Sequence, residues 1–478
     1  MNPILQSLNN IGETRNGAVS YKSTGSACLD LFSKVGSARN MEKTELLNKF
    51  YLAGVEDLDV ATRIMMWARD ARGGAGERET FRKLAVEFET WCEKQPNGRA
   101  LVQTLIDKAV ELGRWDDIFV FEKNFDLVVQ KVGQNLTNEL LLKWLPREKS
   151  AKGAIAKRLA KGLGLTPRQY RKVCAGVVTT ETLMCAKRWN EINLSHVPSV
   201  AASRYQKAFE AKHPGYQEWK AALEKGEEKV NASVSFPHDV YRAFQAGTDR
   251  KVIDAMWEAL PNYIPEGVNI LPISDVSGSM SCRASGSVSC MDVSVSLGAY
   301  LATKNTGPFA GALITFHDNP KFHWMDAKKG IAHNFADIAS MQWGGSTNFQ
   351  ATFDLILAHA KKVGAKQEDM PQFVLCLSDM QFNAADGPYN WSSRSRNTTN
   401  FEAIAEKYEA AGYKMPTLVF WNLNAGYGND TPATAAHKNV ALVSGFSPAV
   451  LKAVLAGGDT APVQIMLDTV MHDRYKVL

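Results

Sequence analysis

Residues 268–280 read VNILPISDVSGSM, an apolar run that ends in a turn with one carboxylate and two hydroxyls. The apolar run has the length and composition of a buried strand. Asp275, Ser277 and Ser279 follow it at alternate positions, so their oxygen atoms point to one side of the chain. Three kinds of site need oxygens in such a place: a serine nucleophile, a phosphate cradle and a metal site.

Four later apolar runs have the same character and alternate with helical stretches. They are GALITF (311–316), QFVLCLS (372–378), TLVFW (417–421) and VALVS (440–444). Continuous apolar strands separated by helices predict a mostly parallel sheet with both faces covered. The C-terminal part is therefore predicted to be a doubly wound α/β domain, whose functional crevice lies at the C-terminal ends of the strands.

Residues 43–190 predict a different architecture, a series of amphipathic helices joined by short loops. The stretch TRIMMWARDARGG (62–74) carries apolar residues at helical spacing, and its helix is predicted to end at Gly73 and Gly74. Such helices predict an α-solenoid of the HEAT type, although no strict sequence repeat is present. The predicted fold class is thus α plus α/β. It comprises an N-terminal arm at 1–25, a helical-repeat domain at 26–262 that could close into a ring, and an α/β domain at 263–478.

The residues of the turn narrow the choice of chemistry. A serine nucleophile on a strand–helix elbow usually reads G-x-S-x-G, which DVSGSM does not match, and no nearby histidine offers a base. A phosphate-binding P-loop requires G-x-x-x-x-G-K-[ST], and no lysine follows here. Mg²⁺ prefers oxygen ligands. Two other strand ends supply more of them, Thr347 or Ser346 in WGGSTNFQ (343–350) and Asp379 in LCLSDMQF (375–382). A metal site is therefore favoured, and no catalytic residue is predicted.

In this order, Asp275, Ser277, Ser279, Thr347 and Asp379 resemble the metal-ion-dependent adhesion site (MIDAS) of von Willebrand factor A domains. The resemblance implies that these residues bind a divalent cation, Mg²⁺ or else Mn²⁺ or Ca²⁺, directly or through water. It also implies that a carboxylate of a partner protein can complete the coordination. GGST has one residue more than the usual Gly-Gly-Thr, so Ser346 and Thr347 remain alternatives, with Thr347 favoured. A turn that is capped by hydrogen bonds alone and binds no metal is the simpler alternative.

A second resemblance extends over nearly the whole chain. The stretches ARDARGGAGERE (68–79), SFPHDVYRAF (235–244) and LVSGFSPAVL (442–451), together with the A-domain motif, resemble the TROVE module proteins, the family of the Ro autoantigen. The stretch RWNEINLSHVPSVAASRYQKAF (188–209) is similar to a TROVE-related group found in plants, bacteria and viruses. The resemblance implies a helical-repeat ring that closes against the A domain. It also implies that small structured RNA binds the outer basic surface and that ends of misfolded RNA thread the hole.

The formal net charge of +5 is unevenly distributed along the chain. Residues 261–478 hold 16 Lys and Arg against 18 Asp and Glu, which leaves 39 against 32, or +7, for residues 1–260. Between residues 143 and 188 twelve basic residues accompany two acidic ones, a pattern that suits phosphate binding. The candidate RNA-binding residues are Lys143, Arg147, Lys149, Lys157, Arg158, Arg168, Arg171, Lys172, Lys187 and Arg188.

Three aromatic residues, Trp144, Tyr170 and Trp189, flank this cluster and could stack on unpaired bases. The ordinary alternative for each basic residue is a solvated helix face, and for each aromatic residue it is core packing.

The sequence predicts a cytoplasmic, monomeric, non-enzymatic protein that binds small structured or misfolded RNA and carries a divalent metal site. No apolar run reaches the ~20 residues that a membrane span requires, and the first residues lack a signal-peptide pattern. Seven scattered cysteines without a CxxC indicate reduced thiols. The main alternative is a protein-interaction module, in which the metal site binds an acidic ligand and the helical part is a scaffold without RNA. A metal-assisted hydrolase is a third class.

Overall fold

The computed structural model describes residues 10–232, 234–317, 319–340, 343, 345, 347–384, 399–427, 430–455 and 461–478. Up to residue 258 the described chain is mainly helical, and from residue 270 it alternates between strands and helices. The coarse prediction of a helical part followed by a sheet with helices is confirmed. Within the described ranges, no helix is long and apolar enough to cross a membrane.

A short antiparallel hairpin of β1 (Ile11–Glu13) and β2 (Val19–Tyr21) precedes the helices. The helices of the first part are α1 (Ala27–Val35), α2 (Lys43–Glu56), α3 (Leu58–Arg69), α4 (Arg78–Cys92), α5 (Gly98–Leu112), α6 (Phe125–Gly133), α7 (Glu139–Trp144), α8 (Gly153–Gly162), α9 (Pro167–Cys174), α10 (Thr180–Cys185), α11 (Ser199–Lys212), α12 (Tyr216–Glu224), α13 (Pro237–Gln245) and α14 (Arg250–Glu258). Their apolar faces pack on one another and on the second part in one continuous core.

Helix α3 ends earlier than its sequence pattern predicts. The pattern predicts an end at Gly73 and Gly74, whereas the helix ends at Arg69. Its C-cap, Asp70, is fully buried and accepts two hydrogen bonds from the Arg474 guanidinium, at 2.7 and 3.0 Å. The prediction was wrong because Asp70 leaves the helical conformation. Its Oδ1 accepts a hydrogen bond from the Arg72 amide at 3.0 Å, and Arg474, 404 positions later, binds the same carboxylate.

Six strands form the sheet of the second part. They are β3 (Ile270–Asp275), β6 (Ala312–Phe316), β7 (Lys321–Trp324), β8 (Phe373–Ser378), β9 (Thr417–Asn422) and β10 (Val440–Ser444), and a separate hairpin of β4 (Arg283–Ser285) and β5 (Val288–Ser289) follows β3. The strand order is β10-β9-β8-β3-β6-β7, and all neighbours are parallel except β6 and β7. The sheet is therefore mixed. Strand β7 was not predicted, because its four residues, KFHW, are partly exposed and form no apolar run.

The helices of the second part cover both faces of this sheet. They are α15 (Cys290–Lys304), α16 (Ile331–Ala339), α17 (Phe349–Val363), α18 (Asn400–Ala410), α19 (Leu451–Val454) and α20 (Pro462–Val470). Every residue of β3 is buried, and since successive side chains point to opposite faces, both faces must be covered. The chain goes from β3 to β6 on one side and returns to β8 on the other, so the strand order reverses between β3 and β8. Such a reversal is the usual ligand crevice of an open α/β sheet.

The helical part begins and ends against the α/β part. After α1, the Gly36 amide donates a hydrogen bond to the Ser444 hydroxyl at the end of β10, at 2.9 Å. At the other end, α13 packs on α15, where Gln245 Nε2 donates to the Asp292 carboxylate at 3.1 Å. The packed elements therefore run from the sheet through the helices and back to the sheet.

Candidate metal site and candidate RNA interface

Strand β3, which lies inside the sheet, ends in a fully buried carboxylate at the C-terminal end of the parallel strands. Asp275 is the last residue of β3 and is 0% exposed. Its Oδ1 accepts a hydrogen bond from the Ser277 amide at 3.0 Å, which folds the chain into a tight turn. The hydroxyl oxygens of Ser277 and Ser279 lie 3.2 Å apart on this turn. The three predicted ligands of the first motif are therefore close neighbours.

The adjacent strand β8 holds the second carboxylate. Asp379 follows the last residue of β8 and is also 0% exposed. Ser378, just before it, donates its hydroxyl to Asp275 Oδ2 at 2.6 Å and accepts a hydrogen bond from the Met380 amide at 3.0 Å. Met380 has a φ of 65°, in the left-handed region, so the chain turns sharply after Asp379. Ser378 thus joins the two strand ends, a role that the sequence analysis did not assign.

The third predicted segment, the 343–350 loop, is attached to both strand ends. The Gly278 amide donates to the Gly345 carbonyl at 3.4 Å, and the Asn383 amide donates to the Thr347 carbonyl at 3.0 Å. Thr347 is 1% exposed, and its alternative Ser346 lies outside the described residues. These bonds bring the predicted set to one edge of the sheet, between β3 and β8: Asp275, Ser277, Ser279, Thr347 and Asp379.

The two buried carboxylates are electrostatically unfavourable without a cation. Burial, followed by the nearby Asp379 carboxylate, raises the pKa of Asp275 to about 7, and burial raises the pKa of Asp379. Asp379 Oδ2 is buried and makes no hydrogen bond of ordinary geometry among the described residues, although the Ser279 hydroxyl lies close enough to this carboxyl group to lower its pKa in part. A divalent cation that takes carboxylate and hydroxyl oxygens would offset both costs, so the residues fit a hard ion such as Mg²⁺. A nitrogen- and sulfur-rich centre has no counterpart here: in the described ranges no group of three or more His, Cys, Asp and Glu side chains could hold a metal.

The N-terminal hairpin lies beside this site, which the sequence analysis did not anticipate. Thr14 Oγ1 donates to the Phe382 carbonyl at 2.7 Å, and Asn16 Nδ2 donates to the Gln381 carbonyl at 2.6 Å. Both acceptors lie within three residues of Asp379. The arm therefore holds the chain that leaves the candidate metal site.

Neither serine of the turn has the surroundings of a nucleophile. A serine nucleophile needs a base within hydrogen-bond reach. In the part of the chain that the structure describes, no histidine forms a hydrogen bond with the Ser277 or Ser279 hydroxyl. Ser277 is also 1% exposed, which leaves little access for a substrate. The absence of an enzymatic role stays a prediction.

The ten candidate RNA-binding residues, which we call the basic segment, lie on α7 to α10 and the loops that join and follow them. All ten are exposed. Six of them form no ion pair within the described residues: Lys143, Lys149, Lys157, Arg168, Lys172 and Lys187. These six side chains are available to an anionic ligand.

The other four members of the basic segment are arginines with partners inside the protein. The contacts are Arg171 with the Glu148 carboxylate, Arg188 with the Glu191 carboxylate, Arg147 with the Cys174 carbonyl, and Arg158 over the Phe125 ring. The Arg171 pair spans 2.7 Å, and the Arg158 guanidinium lies 3.9 Å from the ring centroid. These arginines help to hold the segment together, so a phosphate would have to compete for them.

The flanking aromatic residues differ from one another. Tyr170 is 0% exposed, and its hydroxyl donates to the Pro146 carbonyl at 3.0 Å, so the prediction that it stacks on bases is wrong. Tyr170 and Cys174 are the buried residues of this helix, and Val173 packs against the same core, so the ring is part of the core. Trp144 and Trp189 are half-buried. A cation lies over each ring, Arg114 at 4.9 Å from the Trp144 centroid and Lys212 at 5.5 Å from the Trp189 centroid. Stacking of a base on either ring stays a prediction.

Two family models match the chain, and both carry the description "domain of unknown function". DUF7788 matches residues 269–474, and DUF2828 matches residues 14–95 and 163–265. The first matched region contains the candidate metal site, and the second contains part of the basic segment.

The chain is also similar to two known proteins. It is 27% identical over 516 residues to the uncharacterized protein L728 of Acanthamoeba polyphaga mimivirus. This alignment covers 96% of this chain and 87% of the viral protein. The crystal structure of the Deinococcus radiodurans RO (RSR) protein aligns with 87% of this chain and 92% of its own, at 12% identity and a TM-score of 0.41.

Proposed function

We propose that the protein binds RNA through the basic segment, and that its ligands are the small structured or misfolded RNAs that the TROVE resemblance implies. The observation that carries the proposal is the set of six exposed cationic side chains that form no ion pair among the described residues, although the Glu181 carboxylate acts electrostatically on Lys143. When such side chains contact phosphates, condensed counterions are released, and this favours binding whatever the base sequence.

A filter-binding titration tests this proposal. Full-length protein is titrated against a structured RNA and a single-stranded RNA of equal length at several salt concentrations. Each phosphate contact on a single strand contributes ~0.7 to the magnitude of the slope of log K against log salt. If about five cationic side chains contact phosphates, the slope for the single strand is roughly −3.5. Wild-type protein that retains neither RNA at low salt would exclude the function.

A second candidate function rests on the buried Asp379 Oδ2. We propose that a divalent cation is held by the five-residue set of Asp275, Ser277, Ser279, Thr347 and Asp379. When bound, such a cation offers an open coordination position to a carboxylate. The α/β part would then bind a protein that has an accessible acidic residue. This binding would accompany RNA binding by the helical part or, in the alternative function, would occur without any RNA.

Purification from native cells separates the two functions. Copurifying nucleic acid that ribonuclease removes supports RNA binding. A protein partner that is retained in Mg²⁺ and released by EDTA, with no nucleic acid in the preparation, supports the interaction module instead. Neither function includes a catalytic step, and labelling of Ser277 or Ser279 by a fluorophosphonate probe with loss of an activity would contradict both.

A further inference from the structure

Two cysteines lie in sulfur contact at the base of the β4–β5 hairpin. Cys282 immediately precedes β4, and Cys290 is the first residue of α15, directly after β5. Their Sγ atoms are 3.2 Å apart, and the Cys290 amide donates to the Cys282 carbonyl at 2.9 Å. The backbone bond fixes the two residues opposite each other, so the contact of the sulfurs does not depend on a flexible loop.

The surroundings hold both thiols in place and give them different access to solvent. The side-chain Nδ2 of Asn424 donates to Cys282 Sγ at 3.4 Å, and Cys290 Sγ lies 3.6 Å from the Leu423 carbonyl. Cys282 is half-buried, whereas Cys290 is 0% exposed. A small oxidant can therefore reach Cys282 first, whereas Cys290 lies in the protein interior next to it.

We propose that Cys282 and Cys290 are a redox-modification site, at which a hydroperoxide converts the two thiols into an intramolecular disulfide. A disulfide needs its sulfur atoms about 2.05 Å apart, so from 3.2 Å they must approach by about 1.2 Å, a shift within reach of side-chain rotation. This inference does not depend on RNA or metal binding.

The chemistry takes place in two balanced steps. The Cys282 thiolate attacks one oxygen of hydrogen peroxide, the O–O bond breaks, and a sulfenic acid forms with release of one water molecule after proton transfer. Cys290 sulfur then attacks the sulfenic sulfur, the S–O bond breaks, and a second water molecule leaves with the Cys290 proton. Two thiols lose two protons and two electrons in total, and one peroxide is reduced to two water molecules.

The hairpin that the disulfide would close is a bridge between the two ends of the helical part. Asn40, after α1, donates to the Arg283 carbonyl at 2.6 Å, and its neighbour Arg39 donates to the Ser285 hydroxyl. From α13, the Arg242 guanidinium donates to the Ser287 hydroxyl at 2.6 Å. A cross-link at the base of the β4–β5 hairpin therefore restricts the segment to which both ends of the helical part are hydrogen-bonded.

The test uses full-length protein and peptide mapping. Reduced protein is treated with hydrogen peroxide, its remaining thiols are alkylated, and it is digested with trypsin without reductant. Cleavage after Lys251, Arg283 and Lys304 leaves Cys282 in peptide 252–283 and Cys290 in peptide 284–304. We expect one linked species, lighter by two hydrogen atoms than the sum of the peptides, which reductant separates. Recovery of both peptides unlinked while the exposed Cys185 is oxidised would overturn the proposal.

Matched variants decide between internal linkage and exchange between molecules. In Cys282→Ser the linked species should disappear, and in Cys185→Ser, which removes the exposed thiol, it should remain. Loss of the linked species in Cys185→Ser would show that linkage proceeds through the exposed thiol and would overturn the proposal. In the linked protein we expect slower amide exchange at residues 283–289, and unchanged exchange there would overturn the effect on the hairpin.

Discussion

The hydroxyl of Ser378 donates a hydrogen bond to Oδ2 of Asp275 at 2.6 Å, between two residues that are both 0% exposed. The bond joins β8 to β3 at the point where the strand order reverses. It leaves Asp275 with one oxygen oriented by Ser378 and the other by the Ser277 amide. The carboxylate is thus fixed by contacts within the protein before any cation arrives, which favours a preformed site.

Removal of the Asp275 carboxylate should abolish Mg²⁺ binding. Asp275→Ala leaves one carboxylate and neutral hydroxyls, and this set holds a strongly hydrated divalent ion poorly. Titration calorimetry of the full-length protein should show no Mg²⁺ heat in the variant and saturable heat in the wild type. Glu266→Ala, which removes an exposed carboxylate just before β3, is the matched control and should bind like the wild type. Equal Mg²⁺ affinity in Asp275→Ala and wild type would refute the site.

Stability of the metal-free protein should fall as the pH rises. The pKa of Asp275 is raised from 3.8 to about 7 on folding, so the folded protein binds this proton more tightly than the unfolded chain does. Its contribution to stability is therefore complete below about pH 4 and lost as the pH rises through about 7. With EDTA present, the melting temperature at about pH 8 should drop, relative to about pH 5, by more in the wild type than in Asp275→Asn. Identical pH profiles of the two proteins would count against the raised pKa.

Charge reversal in the basic segment should weaken RNA binding of every sequence about equally. We choose Lys157, Arg168 and Lys172, which form no ion pair among the described residues, instead of the Glu148-bound Arg171. If all three contact phosphates, their change to Glu should lower the magnitude of the salt slope by roughly 2, from ~0.7 per contact.

The control for charge reversal lies on the other part of the protein. Changing the exposed Lys361, Lys362 and Lys414 to Glu alters the net charge by the same amount. Filter binding should give a wild-type slope for this control. Equal slopes for the two triple variants would remove the basic segment from the RNA interface and favour the interaction module.

Tyr170 should matter for stability and not for RNA. Tyr170→Phe removes the hydroxyl that donates a buried hydrogen bond to the Pro146 carbonyl. This loss should lower the free energy of unfolding by about 1 kcal/mol. RNA affinity at a temperature where both proteins are folded should be unchanged. Trp144→Ala should instead weaken single-strand binding by ~1–3 kcal/mol if a base stacks on it. A selective loss of single-strand binding in Tyr170→Phe would contradict this assignment.

The buried ion pairs of the helical part should be among its most sensitive points. Asp117 is 0% exposed and holds Arg69 at 2.7 Å and Arg82 at 2.8 Å. Asp117→Ala would leave a buried guanidinium uncompensated, at a cost of about 3–5 kcal/mol in the free energy of unfolding. The more accessible pair of Asp107 and Lys131, both half-buried, is the matched control, and Asp107→Ala should cost less than about 1 kcal/mol. Urea denaturation measures both, and similar losses in the two variants would contradict the ranking.

The strands and the candidate ligands could be predicted because their signals are local. A buried parallel strand such as VALVS is an uninterrupted apolar run, and the run coincides with β10 at Val440–Ser444. The acid and hydroxyl turn after β3 is likewise contained in a few residues. Since parallel strands end at one edge of a sheet, predicting the strands also placed Asp275 and Asp379 near each other.

The features that the sequence analysis missed depend on residues far apart in the chain. Ser378 is an ordinary strand serine until β3 lies beside it, and its bond to Asp275 spans 103 residues. Tyr170 looks like a stacking residue because its neighbours are basic, and only the packing of its ring shows otherwise. Helix α3 ends at Arg69, and the buried Asp70 that follows it is bound by the nearby Arg72 amide and also by Arg474, 404 residues away.

The pairing of Asp70 with Arg474 has a consequence for biosynthesis. At 5–20 residues per second, a ribosome needs about 20–80 s to add the 404 residues that separate them. For that time the helical part emerges without the Arg474 guanidinium that binds its Asp70 carboxylate, and the Thr14 contact to Phe382 is likewise delayed by 368 residues. We therefore expect a protease to cleave a ribosome-stalled chain that ends before residue 470 within its helices. The chain released after residue 478 should resist cleavage at the same positions.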